Sequence, residues 1–236
     1  ATELVRTLRR MSNHPVGRPR VIIIGSGFGG LFAAQALADA DVQVTMIAKT
    51  SHHLFQPLLY QVATGILSSG EIAPATREIL AKQDNAEVLL GNVRTIDVET
   101  KRVHVSTLGI EEEYDYDYLI VAAGSRTSYF GNDEFAHDAP GMKSVDDALE
   151  LRGRIYGAFE LAEISARRGE TDDVDRLMTF VCVGAGPTGV VAARYLAGEG
   201  IPVTLIEASE ELQKDLRAST FHPPTLEMLD RFGAAK

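Results

Sequence analysis

Residues 20–30 read RVIIIGSGFGG, an apolar run of four residues followed by a turn that holds four glycines. The apolar run predicts a buried strand, and the helical spacing of apolar residues over Phe28–Ala40 predicts a helix directly after the turn. A second apolar run, Val42–Ala48, predicts a strand that returns beside the first. Strand, helix and strand within about 30 residues form a parallel crossover, so this stretch predicts an α/β fold.

The same pattern occurs again near the C-terminus. Leu177–Gly184 predicts a strand, Pro187–Ala197 a helix and Pro202–Ala208 a second strand. Short runs between Glu87 and Ala123 predict several more strands, some of them alternating between polar and apolar residues. The fold class that follows is α/β, with two Rossmann-like dinucleotide-binding units on parallel sheets and a small antiparallel β insertion.

The chain divides into four parts by composition and pattern. Residues 1–19 form a basic tail, and residues 20–144 form the first dinucleotide-binding domain, in which Ser51–Glu71 is predicted as a loop-rich stretch and Pro74–Gln83 as a helix. Residues 145–176 hold a long amphipathic helix, predicted over Val145–Arg168, and a polar linker that connect the two units. Residues 177–236 form the second dinucleotide-binding unit, which we expect to be truncated.

Both turns match the pattern G-x-G-x-x-G between a strand and a helix. The first glycine permits the tight turn, the second leaves room for a pyrophosphate, and the third lets helix and strand pack closely. The N-terminus of the helix offers unpaired N–H groups to the phosphates. The candidate cofactor-binding residues are Gly25, Gly27, Phe28, Gly29 and Gly30 in the first turn, and Gly184, Gly186, Thr188 and Gly189 in the second.

An acidic residue that accepts hydrogen bonds from a ribose is expected at the end of the second strand of each unit. In the second unit Glu207 lies 23 residues after Gly184, which favours NAD or FAD over NADP. The same offset in the first unit falls on Ala48, which is followed by Lys49. The first site must therefore hold its ribose differently, and Lys49 could pair with a phosphate.

Composition excludes several classes of function. The formal net charge of −10 argues against nucleic acid as a partner, because proteins that track phosphates are normally basic. A single cysteine, Cys182, excludes the disulfide reductases, which need two redox thiols, and its apolar surroundings predict a core residue. The adjacent His52 and His53 have no cysteine or carboxylate cluster nearby, so we interpret them as loop structure and predict no metal site.

Residues 52–65, HHLFQPLLYQVATG, resemble the signature of type II NADH dehydrogenases, single-chain flavoenzymes that pass electrons from NADH through FAD to a quinone. Further segments are similar to the same family, namely Leu89–Val93, Leu119–Gly124, Tyr129–Asn132 and Pro140–Lys143. The resemblance runs from about Arg20 to Gly189. It implies a flavoprotein that uses FAD and NADH, passes electrons to a quinone or another small acceptor, and acts in the cytoplasm.

The resemblance also implies roles for individual residues. Gly25, Gly27 and Gly30 would hold the FAD pyrophosphate, and the residues along FAD would be Lys49, Gln56, Val93, Ala123 and Gly124. NADH would be held by Gly184, Gly186, Gly189 and Glu207. Where the family has a Val-Glu pair near the flavin this chain has Val190-Val191, so no catalytic side chain is named.

Residues from about 190 to 233 resemble a different family, the aromatic-ring flavoprotein monooxygenases. Glu207, Arg217 and residues 219–229 carry this likeness, which implies that Glu207 holds an FAD ribose and that Arg217 helps to bind FAD. Two alternatives to an NADH dehydrogenase therefore stay open. They are an FAD-dependent aromatic monooxygenase and a non-catalytic nucleotide-binding fragment.

Overall fold

The computed structural model describes residues 17–129, 131, 133–180, 182–183, 197–198 and 205–206. The chain divides into two compact units, Ala1–Ile155 and Tyr156–Lys236. Among the helices of the described residues, none combines the length and the apolar character that a membrane crossing requires.

The first unit is built on a parallel sheet of four strands, β1 (Arg20–Ile24), β2 (Gln43–Ala48), β3 (Ala86–Leu90) and β7 (Tyr118–Val121). Their order in the sheet is β3-β2-β1-β7. Strand β1 lies inside the sheet, with β2 parallel to it on one side and β7 parallel to it on the other. The parallel crossover predicted from residues 20–48 is therefore present.

A second sheet of three antiparallel strands lies between β3 and β7 in the chain. Its strands are β4 (Asn92–Asp97), β5 (Arg102–Thr107) and β6 (Ile110–Asp115), in that order. This sheet is the small antiparallel insertion that the alternating runs predicted. The α/β fold class is confirmed.

The helices of the first unit are mostly short. They are α1 (Phe28–Ala36), α2 (Leu59–Ala63), α3 (Ser69–Ile72) and α4 (Thr76–Ile79), with 3₁₀ turns at Gln56–Leu58 and Asp133–His137. Helix α5 (Val145–Arg168) has the bounds that the sequence predicted. It begins in the first unit and ends in the second.

Strand β1 is buried on both faces, which explains its unbroken apolar run. Val21 and Ile23 pack with Leu31 and Ala34 of α1 on one face of the parallel sheet. On the other face, Ile22, Ile24 and Ile47 pack with Val103 and Val105 of the antiparallel sheet. The two sheets and α1 thus share β1 as the centre of the core.

Three predicted segments of the first unit differ from the structure. Helix α1 ends at Ala36, four residues before the predicted end, because the chain turns there and Asn85 donates its side-chain N–H groups to the carbonyls of Leu37 and Ala40. The helix predicted over residues 74–83 spans only Thr76–Ile79. It ends there because the N–H groups of Ala81 and Gln83 each donate to the carbonyl three residues earlier, which forms turns and not α-helix. The stretch Ser51–Glu71, predicted as loop, contains α2 and most of α3.

In the second unit, the polar segment predicted as a linker is partly helical. Helix α6 (Thr171–Leu177) has Asp172 and Asp173 in its first turn and Arg176 in its last, which suits the helix dipole. Two short strands, β8 (Cys182–Val183) and β9 (Leu205–Ile206), pair in parallel. This pairing is the one that the second crossover predicted. The helix predicted between them, Pro187–Ala197, lies almost entirely outside the described residues.

Candidate functional site

The carboxyl ends of β1 and β7 meet at one edge of the parallel sheet. The chain leaves β1 through α1 toward β2, whereas β7 lies on the opposite side of β1. A crevice forms where neighbouring strands lead in opposite directions, and open α/β sheets bind their ligands at such a point. Residues 25–30 and 122–124 therefore occupy the position expected of a binding site.

Gly25 ends β1 in a conformation that favours glycine, with φ of +105°. Its N–H donates to Ile47 O at 2.8 Å, and Ala122 N–H donates to Ile24 O at 2.8 Å. A Cβ atom at position 25 would collide with the carbonyl group of Ala122. The backbones of the two strand ends thus touch directly, and only glycine fits.

Gly30 and Gly27 are glycines for different reasons. A Cβ atom at Gly30 would collide with Gly25 O, so this residue lets α1 pack against the turn. A Cβ atom at Gly27 would meet nothing within 4 Å, and the φ of Gly27 is −70°, which any residue adopts. Neither space nor backbone within the described chain requires glycine at 27, which is the outcome expected where a ligand approaches the backbone.

The N-terminus of α1 suits an anion. Gly27 is the N-cap residue and no side chain caps the helix, so the first-turn N–H groups have no intrahelical partner. The first turn also contains no acidic residue. Together with the open space at Gly27, these N–H groups fit the pyrophosphate of a dinucleotide.

Two side chains that the sequence did not single out as site residues hold this turn in place. Ser26 is buried, and its Oγ donates to His52 O at 3.1 Å. His53 is also buried, and its Nδ1 lies 2.8 Å from Ser26 O. Phe28 packs edge-on against His53, with the ring centroids 5.1 Å apart. The nearest signal in the sequence is the adjacent pair His52-His53.

Lys49 follows β2 and is exposed at the same edge of the sheet. Its charge acts on Asp147, in the first turn of α5. Partial burial alone would raise the pKa of Asp147, but the N–H groups of Lys143 and Ser144, each 2.8 Å from Oδ2, and the charge of Lys49 together lower it. Asp147 is therefore ionised at neutral pH.

The remaining candidate residues of the first site are exposed, except for one that is partly buried. Ala123 and Gly124 are exposed beyond the end of β7, and Gly124 has φ of +73°. Gln56 is exposed at the start of a 3₁₀ turn. Val93 lies on β4, partly buried against the core cluster that contains Ile47 and Val105. Gly29 is exposed within α1.

The candidates for the second site lie outside the described residues. They are Gly184, Gly186, Thr188, Gly189, Glu207 and Arg217. Within the part of the chain that the structure describes, no three His, Cys, Asp or Glu side chains come together as a group that could hold a metal ion.

Comparison with known proteins agrees with the geometry of the glycine turn. Residues 19–222 match the family described as pyridine nucleotide-disulphide oxidoreductase. The type II NADH:quinone oxidoreductase NdhA of Mycobacterium tuberculosis is 63% identical over 190 residues, in an alignment that covers 77% of this chain and 40% of that protein. Ndh of the same organism, also a type II NADH:quinone oxidoreductase, is 61% identical over 183 residues, 78% of this chain and 39% of that protein.

A solved structure is also similar to this chain. NDH2 from Plasmodium falciparum, in complex with NADH, superimposes with a TM-score of 0.68 at 25% identity and covers 83% of this chain and 43% of that one. The chain spans about 40% of the length of the curated relatives above. None of these relatives is an aromatic monooxygenase, and the family match continues to residue 222, through most of the segment that resembles one. The chain belongs to the pyridine nucleotide-disulphide oxidoreductase family.

Proposed function

We propose that the first unit binds FAD at the turn Gly25–Gly30, and that the chain is part of an NADH:quinone oxidoreductase. The observation that carries the proposal is the turn itself. Gly25 and Gly30 are required by backbone contacts, whereas Gly27 faces open space at an uncapped helix N-terminus. This arrangement leaves N–H groups free for a pyrophosphate and denies space to any side chain larger than hydrogen at the two packed glycines.

The residues at the sheet edge would have distinct tasks in such a site. The first-turn N–H groups of α1 would hold the pyrophosphate, and Lys49, with Ala48 in place of a ribose acid, would add a positive charge beside it. Ala123 and Gly124, exposed beyond β7, would border the cofactor where a large side chain would block it. Gln56 and Val93 complete the proposed lining.

FAD, when bound, supplies the chemistry that accepts a hydride from NADH and passes two electrons to a quinone. The quinone is supported by the names of the two mycobacterial relatives, and NADH also by the ligand of the Plasmodium structure. We assign FAD to residues 20–144 and NADH to residues 177–236, through Gly184, Gly186, Thr188, Gly189 and Glu207. A location in the cytoplasm belongs to the same proposal and is supported by the family resemblance.

Retention of flavin tests the first step. The purified protein is mixed with FAD, excess cofactor is removed, and the visible absorption spectrum is recorded. We expect a flavin spectrum, bleached on addition of NADH under anaerobic conditions. Retained flavin without bleaching would contradict the NADH dehydrogenase assignment and leave a nucleotide-binding protein, and absence of flavin from folded protein would contradict the FAD site.

A matched pair of variants locates the site. Gly27→Ala adds a methyl group where the fold has room, so the protein should stay folded, and its melting temperature should fall by no more than a few degrees because alanine is a weaker N-cap than glycine. Its dissociation constant for FAD should rise about tenfold or more, which corresponds to about 1.4 kcal/mol. Gly153→Ala, an equally open glycine on α5, is the control and should bind FAD like the unchanged protein. Equal FAD affinity of all three proteins would contradict the placement of the pyrophosphate.

A further inference from the structure

The glycine turn is joined to the loop Ser51–Phe55 by two hydrogen bonds that run in opposite directions. Ser26 Oγ donates to His52 O at 3.1 Å. His53 Nδ1 lies 2.8 Å from Ser26 O, and because a carbonyl oxygen only accepts, Nδ1 must carry the hydrogen and donate it. The bond fixes which ring nitrogen of His53 is protonated in the neutral side chain.

The loop that carries His53 is itself held firmly. His53 N–H donates to Pro74 O at 2.9 Å, Phe55 N–H donates to Ile72 O at 2.8 Å, and Thr76 N–H donates to Ser51 O at 3.0 Å. These three bonds tie both ends of the loop to the segment around α3 and α4. The backbone that carries His53 is therefore held in place by hydrogen bonds.

The contact to Ser26 O determines the direction of the next N–H group. The peptide between Ser26 and Gly27 is planar and trans, so its C=O and N–H point in opposite directions. With Ser26 O directed at His53, the N–H of Gly27 points away from His53. Phe28, edge-on to the imidazole at 5.1 Å and to Phe55 at 5.5 Å, restrains the residue that follows Gly27.

We propose that His53 is a positioning residue for the dinucleotide phosphates, acting through the Ser26–Gly27 peptide to direct the Gly27 N–H into the site. The proposal rests on the FAD site proposed above. In this role His53 does not contact the phosphates. Its Nδ1–H acts through the hydrogen bond to Ser26 O. Any side chain that places an N–H donor at the same point should replace it.

Two amide substitutions separate this role from simple packing. In His53→Asn the amide nitrogen is as many bonds from Cα as Nδ1 is, so it can donate to Ser26 O. In His53→Gln the amide is one bond farther out, at the position of Nε2. We expect His53→Asn to keep the FAD dissociation constant within about threefold of the unchanged protein and His53→Gln to raise it about tenfold or more.

Ser26→Ala removes the other hydrogen bond of the pair and leaves the His53 bond in place. It should raise the FAD dissociation constant less than His53→Gln does. Equal FAD affinity of His53→Asn and His53→Gln, or an equal loss in Ser26→Ala, would overturn the positioning role. Melting temperatures of the FAD-free variants are recorded beside the dissociation constants, so that unfolding is not mistaken for lost affinity.

Amide hydrogen exchange in the FAD-free protein tests the same role without the cofactor. Residues 25–30 should exchange faster in His53→Gln than in His53→Asn, because only the second keeps the peptide fixed. Equal exchange in the two variants would overturn the proposal. If the unchanged protein retains no FAD, the proposed function fails, and the exchange measurement alone then decides whether His53 fixes the turn.

Discussion

The glycine turn after β1 and the outer face of the antiparallel sheet are two surfaces of one unit, built by different means. The turn is held by backbone contacts, by buried Ser26 and His53, and by Gly25 and Gly30, which admit no side chain. The outer face of β6 carries Glu111, Glu113 and Asp115, and Arg102 pairs with Glu113 at 2.8 Å and Asp115 at 2.9 Å. All three of these paired side chains are 42–50% exposed.

The difference concerns tolerance to substitution. At Gly25 and Gly30, one added methyl group meets backbone atoms just beyond the strand ends, and these atoms cannot move. On the charged face, water fills the space that a removed side chain leaves. The free energy of unfolding then changes little, because exposed ion pairs contribute little to it. The turn should therefore respond to changes of volume, and the charged face should respond mainly to salt.

The largest effect is expected for Gly30→Ala. The new Cβ atom would collide with Gly25 O inside the fold, so the cost should reach or exceed the upper end of the about 1–3 kcal/mol typical of overpacking. Urea denaturation measures the loss of unfolding free energy. Gly29→Ala is the control, because its Cβ would lie 3.6 Å from Ala122 Cβ, an ordinary contact. Equal stability of the two variants would contradict this account of the turn.

A smaller loss is expected for Gly91→Ala, where the two sheets touch. The added Cβ would meet Val105 Cγ1 and would lie 2.9 Å from Thr107 Oγ1, and both are side chains that can shift. We expect a loss of about 2 kcal/mol in the free energy of unfolding. Adding Val105→Ala makes room, so the double variant should cost less than the sum of the two single changes. Strict additivity would show that Val105 is not the obstacle.

The pH dependence of stability should change in Asp147→Asn. Hydrogen bonds from Lys143 and Ser144 and the charge of Lys49 outweigh partial burial and hold the pKa of Asp147 below its ordinary value of 3.8. A lowered pKa means that the ionised carboxylate adds stability above the ordinary pKa and loses it as the pH falls through the folded value. The difference in melting temperature between the unchanged protein and Asp147→Asn should therefore be present at pH 6 and shrink below about pH 4. A difference that does not vary with pH would exclude this cause.

The smallest effect is expected on the charged face. Arg102→Gln removes both ion pairs of a side chain that is 42% exposed, so the melting temperature should change little and the change should vanish at high salt. Thermal melts at low and high ionic strength provide the measurement. A large loss that persists in salt would mean that the face is not a solvated surface and would remove the contrast with the turn.

The sequence predicted the parts of the fold that depend on periodicity and on glycine chemistry. Apolar runs located β1 and β2, the apolar stripe located both ends of α5, and the glycine pattern located the turn at the sheet edge. The short helices α2, α3 and α6 were missed because elements of four to seven residues produce too little periodicity. The predicted end of α1 was wrong because tertiary contacts, such as the hydrogen bonds from Asn85 to the carbonyls of Leu37 and Ala40, decide it. Helix α4 ends early because local turns follow it.

The candidate site also contains residues that the sequence could predict and residues that it could not. The glycines could be named because each has a local steric reason. The roles of Ser26 and His53 could not, because they depend on a contact between residues 27 positions apart. The second glycine pattern lies outside the described residues, so its assignment to NADH stays a prediction.

Helix α1 depends on later parts of the chain at both ends, and this has a consequence for synthesis. The turn before it is held by His53, and the carbonyls around its C-terminus are bound by Gln83 and Asn85, which follow them by 45 to 49 residues. A nine-residue helix without a local cap is not stable on its own. On the ribosome, the first crossover should therefore stay unfolded until Asn85 has left the exit tunnel. Folding would then begin with a segment of about 65 residues and not with the 30-residue crossover that the sequence shows first.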